Sequence, residues 1–290
     1  MAPFTALRFT STDGLSLYAR DYPGSGGSAK CPVICIHGLT RNSGDFDELA
    51  PWIAAQGRRV IAVDVRGRGH SEYDPNPNHY HPLTYAGDII KLAHDLGIAR
   101  AVFIGTSMGG FITMTLALRR LGLISAAILN DVGPRISERG LARIAAYVGN
   151  SVPVNDWQQA ANLIRDINQT AFPENTEAMW MQWAHRNFKE NADGSLSLNY
   201  DPQIAVPIKT GKLKASSWIT HWAFRRLARN RPTLLIRGAL SDLIEPAQAE
   251  AMRRAAPRMQ YVEVPKVGHA PMLMEAPAQA AIAAFLAQAD

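Results

Sequence analysis

Two cysteines in 290 residues, no apolar run longer than eight, and only 19% charged residues leave several kinds of protein out at once. Cys31 and Cys35, if they share a strand, lie roughly 13 Å apart. A disulfide needs Cα atoms within about 7 Å, so no bridge between them is expected. Their spacing matches no zinc pattern either. They are expected as buried apolar side chains in a reducing, cytoplasmic compartment. The longest apolar run, Ala280 to Ala287, is far short of the ~20 residues that cross a bilayer. The first ten residues lack a basic patch followed by an apolar stretch, so no secretory leader is expected. What remains is a chain with 47% hydrophobic residues, enough for a sizeable core of one large domain or one domain with an insert.

The net charge of +5 is modest, and the basic residues form no nucleic-acid-binding motif. Residues 134–231 hold 13 Lys/Arg against 8 Asp/Glu, so the whole surplus lies in the middle of the chain.

Patterning explains what is special about that middle. Two short strands are expected near Ala6–Thr10 and Ser16–Asp21, joined by Thr12-Asp13-Gly14 and followed by a flexible loop over 23–28. Then apolar runs of four (Val33–Ile36, Val60–Val63, Ala101–Ile104, Ala126–Leu129) alternate with helical patterns at Ser43–Gln56, Thr84–Leu96 and Met108–Arg120. Runs without polar alternation mark strands covered on both faces, as in a parallel sheet. Pro51 is an awkward point inside the first of these helices. From 134 to 231 only helical stretches are read, and the alternation resumes at Thr233–Ile236, Tyr261–Val264 and a closing helix near Pro277–Gln288. The expectation is an α/β core formed by 1–133 and 232–290, with helices on both faces of the sheet and a helical cap insert at 134–231.

Gly105-Thr106-Ser107-Met108-Gly109-Gly110 lies directly between a buried-strand run and a helical pattern. A random chain of this composition shows Gly-x-Ser-x-Gly about one time in ten, so the placement matters more than the pattern. A serine on such a turn is pushed out at the carboxyl edge of the sheet, with a helix N-terminus aimed at developing negative charge. A serine nucleophile needs a base, and the base needs an orienting acid. His269, just after the last strand, is the candidate base, and Asp242, six residues after the strand ending at Ile236, is the preferred acid. Asp131, at the end of the strand Ala126–Asn130, is the rival acid. The Leu39 and Met108 backbone N–H groups are expected to bind an oxyanion, with His37 structural rather than a metal ligand. No metal site is expected.

These residues together, His37-Gly38, Asp64 to Ser71, Gly105-x-Ser107-x-Gly109, Asp242 and Gly268-His269, resemble the α/β-hydrolase superfamily. The likeness is greatest to its branch of esterases, lactonases, haloperoxidase-like enzymes and carbon–carbon bond hydrolases with a helical cap. The resemblance implies an eight-stranded, mostly parallel sheet, no cofactor, and a structural role for the turn Asp64–Ser71. A serine at 107 argues against the members whose nucleophile is a carboxylate.

Five of the six tryptophans lie in the insert, and Trp180, Trp183, Trp218 and Trp222 are candidates for an apolar roof over the site as well as for plain packing. The late basic residues Lys209, Lys212, Lys214, Arg225, Arg226, Arg229 and Arg231 form either a solvated face or a lure for anionic substrate. Arg41, beside the oxyanion loop, is a candidate carboxylate binder. The expected activity is hydrolysis of a carboxylic ester or lactone of a small, largely apolar substrate. The alternatives are cleavage of a carbon–carbon bond in an anionic diketone-like compound and a non-catalytic receptor. The expected partner is that small molecule alone, with neither nucleic acid nor membrane, and the oligomeric state is left open.

Overall fold

The computed structural model describes residues 4–25, 30–150, 154–211 and 215–289. The chain opens with the antiparallel pair β1 (Thr5–Thr10) and β2 (Ser16–Tyr22). There follow β3 (Val33–Ile36), α1 (Leu49–Ala54), β4 (Val60–Asp64), α2 (Pro82–Asp95), β5 (Ala101–Thr106), α3 (Met108–Arg120) and β6 (Ile124–Asn130). The middle segment holds α4 (Glu138–Tyr147), α5 (Trp157–Asn168), α6 (Glu177–Asn187), the strands β7 (Phe188–Glu190) and β8 (Leu196–Leu198), α7 (Val206–Lys209) and α8 (Trp218–Asn230). The chain closes with β9 (Thr233–Gly238), α9 (Pro246–Ala255), β10 (Gln260–Val264) and α10 (Ala276–Leu286). One eight-stranded sheet runs in the order β1-β2-β4-β3-β5-β6-β9-β10, parallel from β4 onward. It is the mostly parallel α/β sheet that the sequence and its resemblance imply.

The uninterrupted apolar runs have a simple cause. Alternate residues of a strand face opposite sides, and here both sides are covered. Ile34, Ile36, Ile61, Val63 and Phe103 pack with α2, α3 and α8 on one face. Val33, Cys35, Val60, Ala62, Val102 and Ile104 pack with α1 and α10 on the other. Cys31 and Cys35 form no disulfide, and burial pushes the Cys35 thiol up.

Two local expectations change. The helix expected over Ser43–Gln56 is a 3₁₀ turn at Ser43–Phe46 followed by α1, so Pro51 falls in a first turn, where its missing N–H costs nothing. The loop expected over 23–28 lies partly outside the described residues. The middle segment is also not purely helical: β7 and β8 form a hairpin around Asp193-Gly194, with Gly194 at φ 82°. An Asp-Gly pair between two short strands is the available signal for that turn.

The segment 134–231 divides in two. Val154, Ala160, Ile164, Phe172, Trp180, Trp183 and Phe188 make a small core of their own. Helix α8 instead buries Ala223, Phe224, Leu227 and Ala228 in the main core, against α3. The reason is topological. Strands β6 and β9 pair in parallel, and a parallel pair needs a crossover element covering the sheet between them. Helix α8 fills that place.

Candidate active site

The turn between β5 and α3 places Ser107 at φ 52°, ψ −112°, a left-handed backbone that costs a non-glycine residue on the order of 1–3 kcal/mol. The surroundings hold it there. The Ser107 N–H donates to Asn130 O at 2.9 Å, and Ser107 O accepts from Gly110 N at 2.9 Å and Phe111 N at 3.2 Å. The flanking glycines are required by space. A Cβ on Gly109 would lie 2.0 Å from Ile36 O, and one on Gly105 would lie 2.5 Å from the Gly109 backbone.

His269 Nε2 lies 2.9 Å from Ser107 Oγ, and its Nδ1 lies 2.7 Å from Asp131 Oδ2. With a carboxylate facing Nδ1, the ring proton sits on Nδ1 and Nε2 is left to accept the serine proton. Asp131 is fully buried. Its carboxylate also accepts from the Gly238 N–H at 3.0 Å and the Ser241 hydroxyl at 2.6 Å. Those contacts satisfy the carboxylate and fix its orientation towards the imidazole.

The acid preferred from the sequence is therefore corrected. Asp242 does not meet His269; both of its oxygens are taken by Arg143, Nε at 2.5 Å and Nη2 at 2.8 Å. Burial raises the Asp242 pKa, but the Arg143 guanidinium outweighs this and holds it below the usual carboxylate range. The spacing after β9 does bring a polar side chain to the Asp131 carboxylate, one residue earlier: Ser241. Asn130 is a second residue the sequence reading missed. Its Nδ2 donates to Thr106 Oγ1 at 3.1 Å and to Pro271 O at 2.8 Å, tying the His269 loop to the ends of β5 and β6.

The loop after β3 faces the serine; a Cβ on Gly38 would stand 3.8 Å from Ser107 Cβ. His37 is fully buried, and its Nε2 accepts from the Val65 N–H at 3.0 Å. Its Nδ1 must then carry the proton, which it donates to Gly38 O at 2.6 Å. In a trans peptide the N–H points opposite to the C=O. Holding Gly38 O toward His37 therefore turns the Leu39 N–H the other way. Arg68, also fully buried, donates from Nε to Leu39 O at 2.9 Å and fixes the next peptide. Met108 is the first residue of α3, so its N–H is one of the helix donors without an intrahelical acceptor.

Burial pushes the His37 pKa down to about 4, against the opposing pull of Asp64, from an ordinary 6.5. The unfolded chain thus takes up a proton that the folded chain refuses. The stability from this site is complete above pH 6.5 and is lost as the pH falls toward 4, by about 3 kcal/mol in all. Urea unfolding at pH about 7 and about 4.5 should show His37→Gln narrowing its stability deficit against wild type as the pH falls. A deficit that does not change with pH removes the buried neutral imidazole.

Ser107 and His269 open into a cavity of about 300 Å³, walled largely by apolar side chains including Phe46, Ile144, Leu163, Phe172 and Trp183. Of the four candidate tryptophans only Trp183 lines it. Trp180 stands behind, edge-on to Trp183 at 5.3 Å. Trp218 and Trp222 do not roof the site; they face solvent on α8, 76% and 52% exposed. Helix α8 packs its inner side on the main core, which leaves these two tryptophans on its solvent side. Arg41 lines the cavity as half of an ion pair, Nε to Asp45 Oδ2 at 2.8 Å and Nη2 to Oδ1 at 2.7 Å, over the Trp183 ring. Of the late basic residues, Lys209, Arg225, Arg226, Arg229 and Arg231 do not line the cavity. Arg226, Arg229 and Arg231 donate to Ala117 O, Ala255 O and Ile124 O, and Lys212 and Lys214 lie outside the described residues. Among the described residues, one cluster has metal-like spacing: Asp13, Asp74 and His79. Arg66 already donates to both carboxylates there, at 2.8 and 2.5 Å, and supplies the countercharge.

A serine on a strained strand-to-helix turn, at the carboxyl edge of a mostly parallel sheet with a histidine behind it, defines a hydrolase-type architecture. Residues 32–276 match the family model described as alpha/beta hydrolase fold, and the chain belongs to that family. It is 35% identical over 257 residues to a 3-hydroxybutyrate-oligomer hydrolase of Cupriavidus necator, covering 87% of this chain and 86% of that one. It is 28% identical over 249 residues to a mouse sn-1-specific diacylglycerol lipase, covering 84% and 76%. Among solved structures, an alpha/beta hydrolase from Novosphingobium aromaticivorans superimposes with a TM-score of 0.91 at 38% identity, covering 99% of both chains.

Proposed function

We propose that this hydrolase cleaves carboxylic esters through an acyl-enzyme formed on Ser107. The observation that carries the reading is the hydrogen-bonded chain Asp131–His269–Ser107, at 2.7 and 2.9 Å, opening into an apolar cavity. Ser107 Oγ attacks the ester carbonyl while His269 Nε2 takes its proton. Asp131 holds the imidazole tautomer and stabilises the imidazolium. The Leu39 and Met108 N–H groups receive the oxyanion, each such donor being worth about 10²–10³ in kcat. His269 then delivers the proton to the departing alcohol, and water repeats the sequence on the acyl-enzyme.

The substrate class favoured is a short linear ester or oligoester of a hydroxy acid. Two things support it: the largely apolar cavity, and the likeness over most of both chains to an oligomer hydrolase. An anionic diketone is less well served, because Arg41 is already paired with Asp45.

A fluorophosphonate probe is expected to label the wild type and not Ser107→Ala. A panel of a short-chain chromogenic ester, a lactone, 3-hydroxybutyrate dimers and trimers, and a diketo acid is expected to show turnover of the esters. Absence of labelling in folded wild type returns the site to a receptor. Turnover of the diketo acid above all esters transfers the function to carbon–carbon cleavage.

A further inference from the structure

The solvent side of α8 has no part in the hydrolase machinery. Its inner side is fixed by Ala223, Phe224, Leu227 and Ala228 against the main core. At about 100° per residue, Trp218, Trp222, Arg225, Arg226 and Arg229 fall on the opposite arc. Trp218 is 76% exposed and Trp222 52%, with Ile219 beside them at 46%. The helix contains no Asp or Glu. Among the described residues no carboxylate lies within ion-pair distance of Arg225, Arg226 or Arg229. The carbonyls that Arg226 and Arg229 reach hold those side chains in place without neutralising them. Next to this face, between α8 and α9, is a second cavity of about 470 Å³, with Phe224 and Met252 among its walls and Arg135, Arg225, His221 and Glu245 also lining it.

We propose that the outer face of α8 docks the protein on an anionic lipid surface. Indole rings are most stable where an apolar layer meets water, and arginines beside them fit headgroup phosphates and carboxylates. Charge decides between occupants. A second copy related by a two-fold axis would set these arginines against their own counterparts with no carboxylate on α8 itself to relieve them. An anionic bilayer supplies both missing elements, an apolar layer for the indoles and a countercharge for the guanidiniums. The expectation of no membrane partner came from the lack of a spanning run. Among the described residues no helix is long and apolar enough to cross a membrane, and docking on a surface needs none.

The test is co-sedimentation of the full chain with phosphatidylcholine vesicles with and without phosphatidylserine, at low and at physiological salt. The expected result is binding only when phosphatidylserine is present, weakened by salt. The double variant Trp218→Ser, Trp222→Ser is expected to bind about tenfold more weakly, and Arg225→Gln about fivefold more weakly. Far-ultraviolet circular dichroism checks that both variants remain folded, so the outcome does not depend on the esterase reading. No binding to phosphatidylserine vesicles at low salt overturns the proposal, as does equal binding by the double tryptophan variant. A doubling of mass in solution that the tryptophan variant abolishes also overturns it and makes the face a self-interface.

Discussion

Replacing Asp131 by asparagine is expected to lower kcat on an ester by about 10⁴, while Asp242→Asn changes it by less than about tenfold. Asparagine keeps the size of the side chain, and its oxygen can still accept from the Gly238 N–H at the Oδ1 position, while its NH2 takes the Oδ2 position and forfeits the bond donated by Ser241 Oγ. What it cannot do is hold the imidazole proton on Nδ1. With an amide facing that nitrogen the proton moves to Nε2, and the atom 2.9 Å from Ser107 Oγ becomes a donor. The base is then unable to take the serine proton. Asp242 acts elsewhere. Its bidentate pair with Arg143 is partly exposed, so its worth is on the order of 1 kcal/mol or less after solvent screening. The pair and the bond from Ser137 Oγ to the Asp242 carbonyl fasten α4 to the loop after β9. Because α4 brings Ile144 and Tyr147 to the cavity wall, Asp242→Asn should show in KM more than in kcat. Steady-state kinetics on both variants decide the matter, and a larger kcat loss for Asp242→Asn reverses the assignment.

The two acids show where sequence reasoning stops. Both follow the carboxyl ends of neighbouring strands, and both lie within the reach that spacing allows. The choice depends on backbone direction. Asp131 sits at φ 53° directly after β6, fully buried. Asp242 lies farther along its loop, where the residue aimed at the site is Ser241. No periodicity encodes such a turn. The central strands were legible because burial on two faces forces a continuous apolar run, and the elbow because two of its glycines are dictated by contacts closer than 3 Å. Helix α8 was illegible as a core element for the opposite reason. Its apolar stripe is ordinary, and only the parallel pairing of β6 with β9 shows which surface it must cover. The spacing of the two tryptophans allows a roof or plain packing, because it reveals that they share a side of the helix but not which side faces the core.

Ser107→Ala is expected to remove about 10⁶ of kcat while leaving the fold in place. The hydroxyl is the only group lost, and the Leu39 and Met108 N–H groups proposed for the oxyanion remain, with the cavity, to give a small residual rate above water. Stability should shift by less than about 1 kcal/mol, because alanine keeps the Cβ and therefore the same backbone constraint at φ 52°. Ser107→Gly separates that constraint from the chemistry. It is equally inactive, yet it releases the cost of a left-handed non-glycine residue. In thermal unfolding it should be more stable than Ser107→Ala by about 1 kcal/mol, after the flexibility glycine adds to the unfolded chain is set against the relief. The comparison bears directly on how the site works. If the turn is strained, the contacts of Gly105 and Gly109 with Ile36 and α3 are what hold it, and the energy stored there keeps Oγ aimed at His269 before substrate arrives. A Ser107→Gly variant less stable than Ser107→Ala would mean that the turn is relaxed and that the serine is positioned by its hydrogen bond alone.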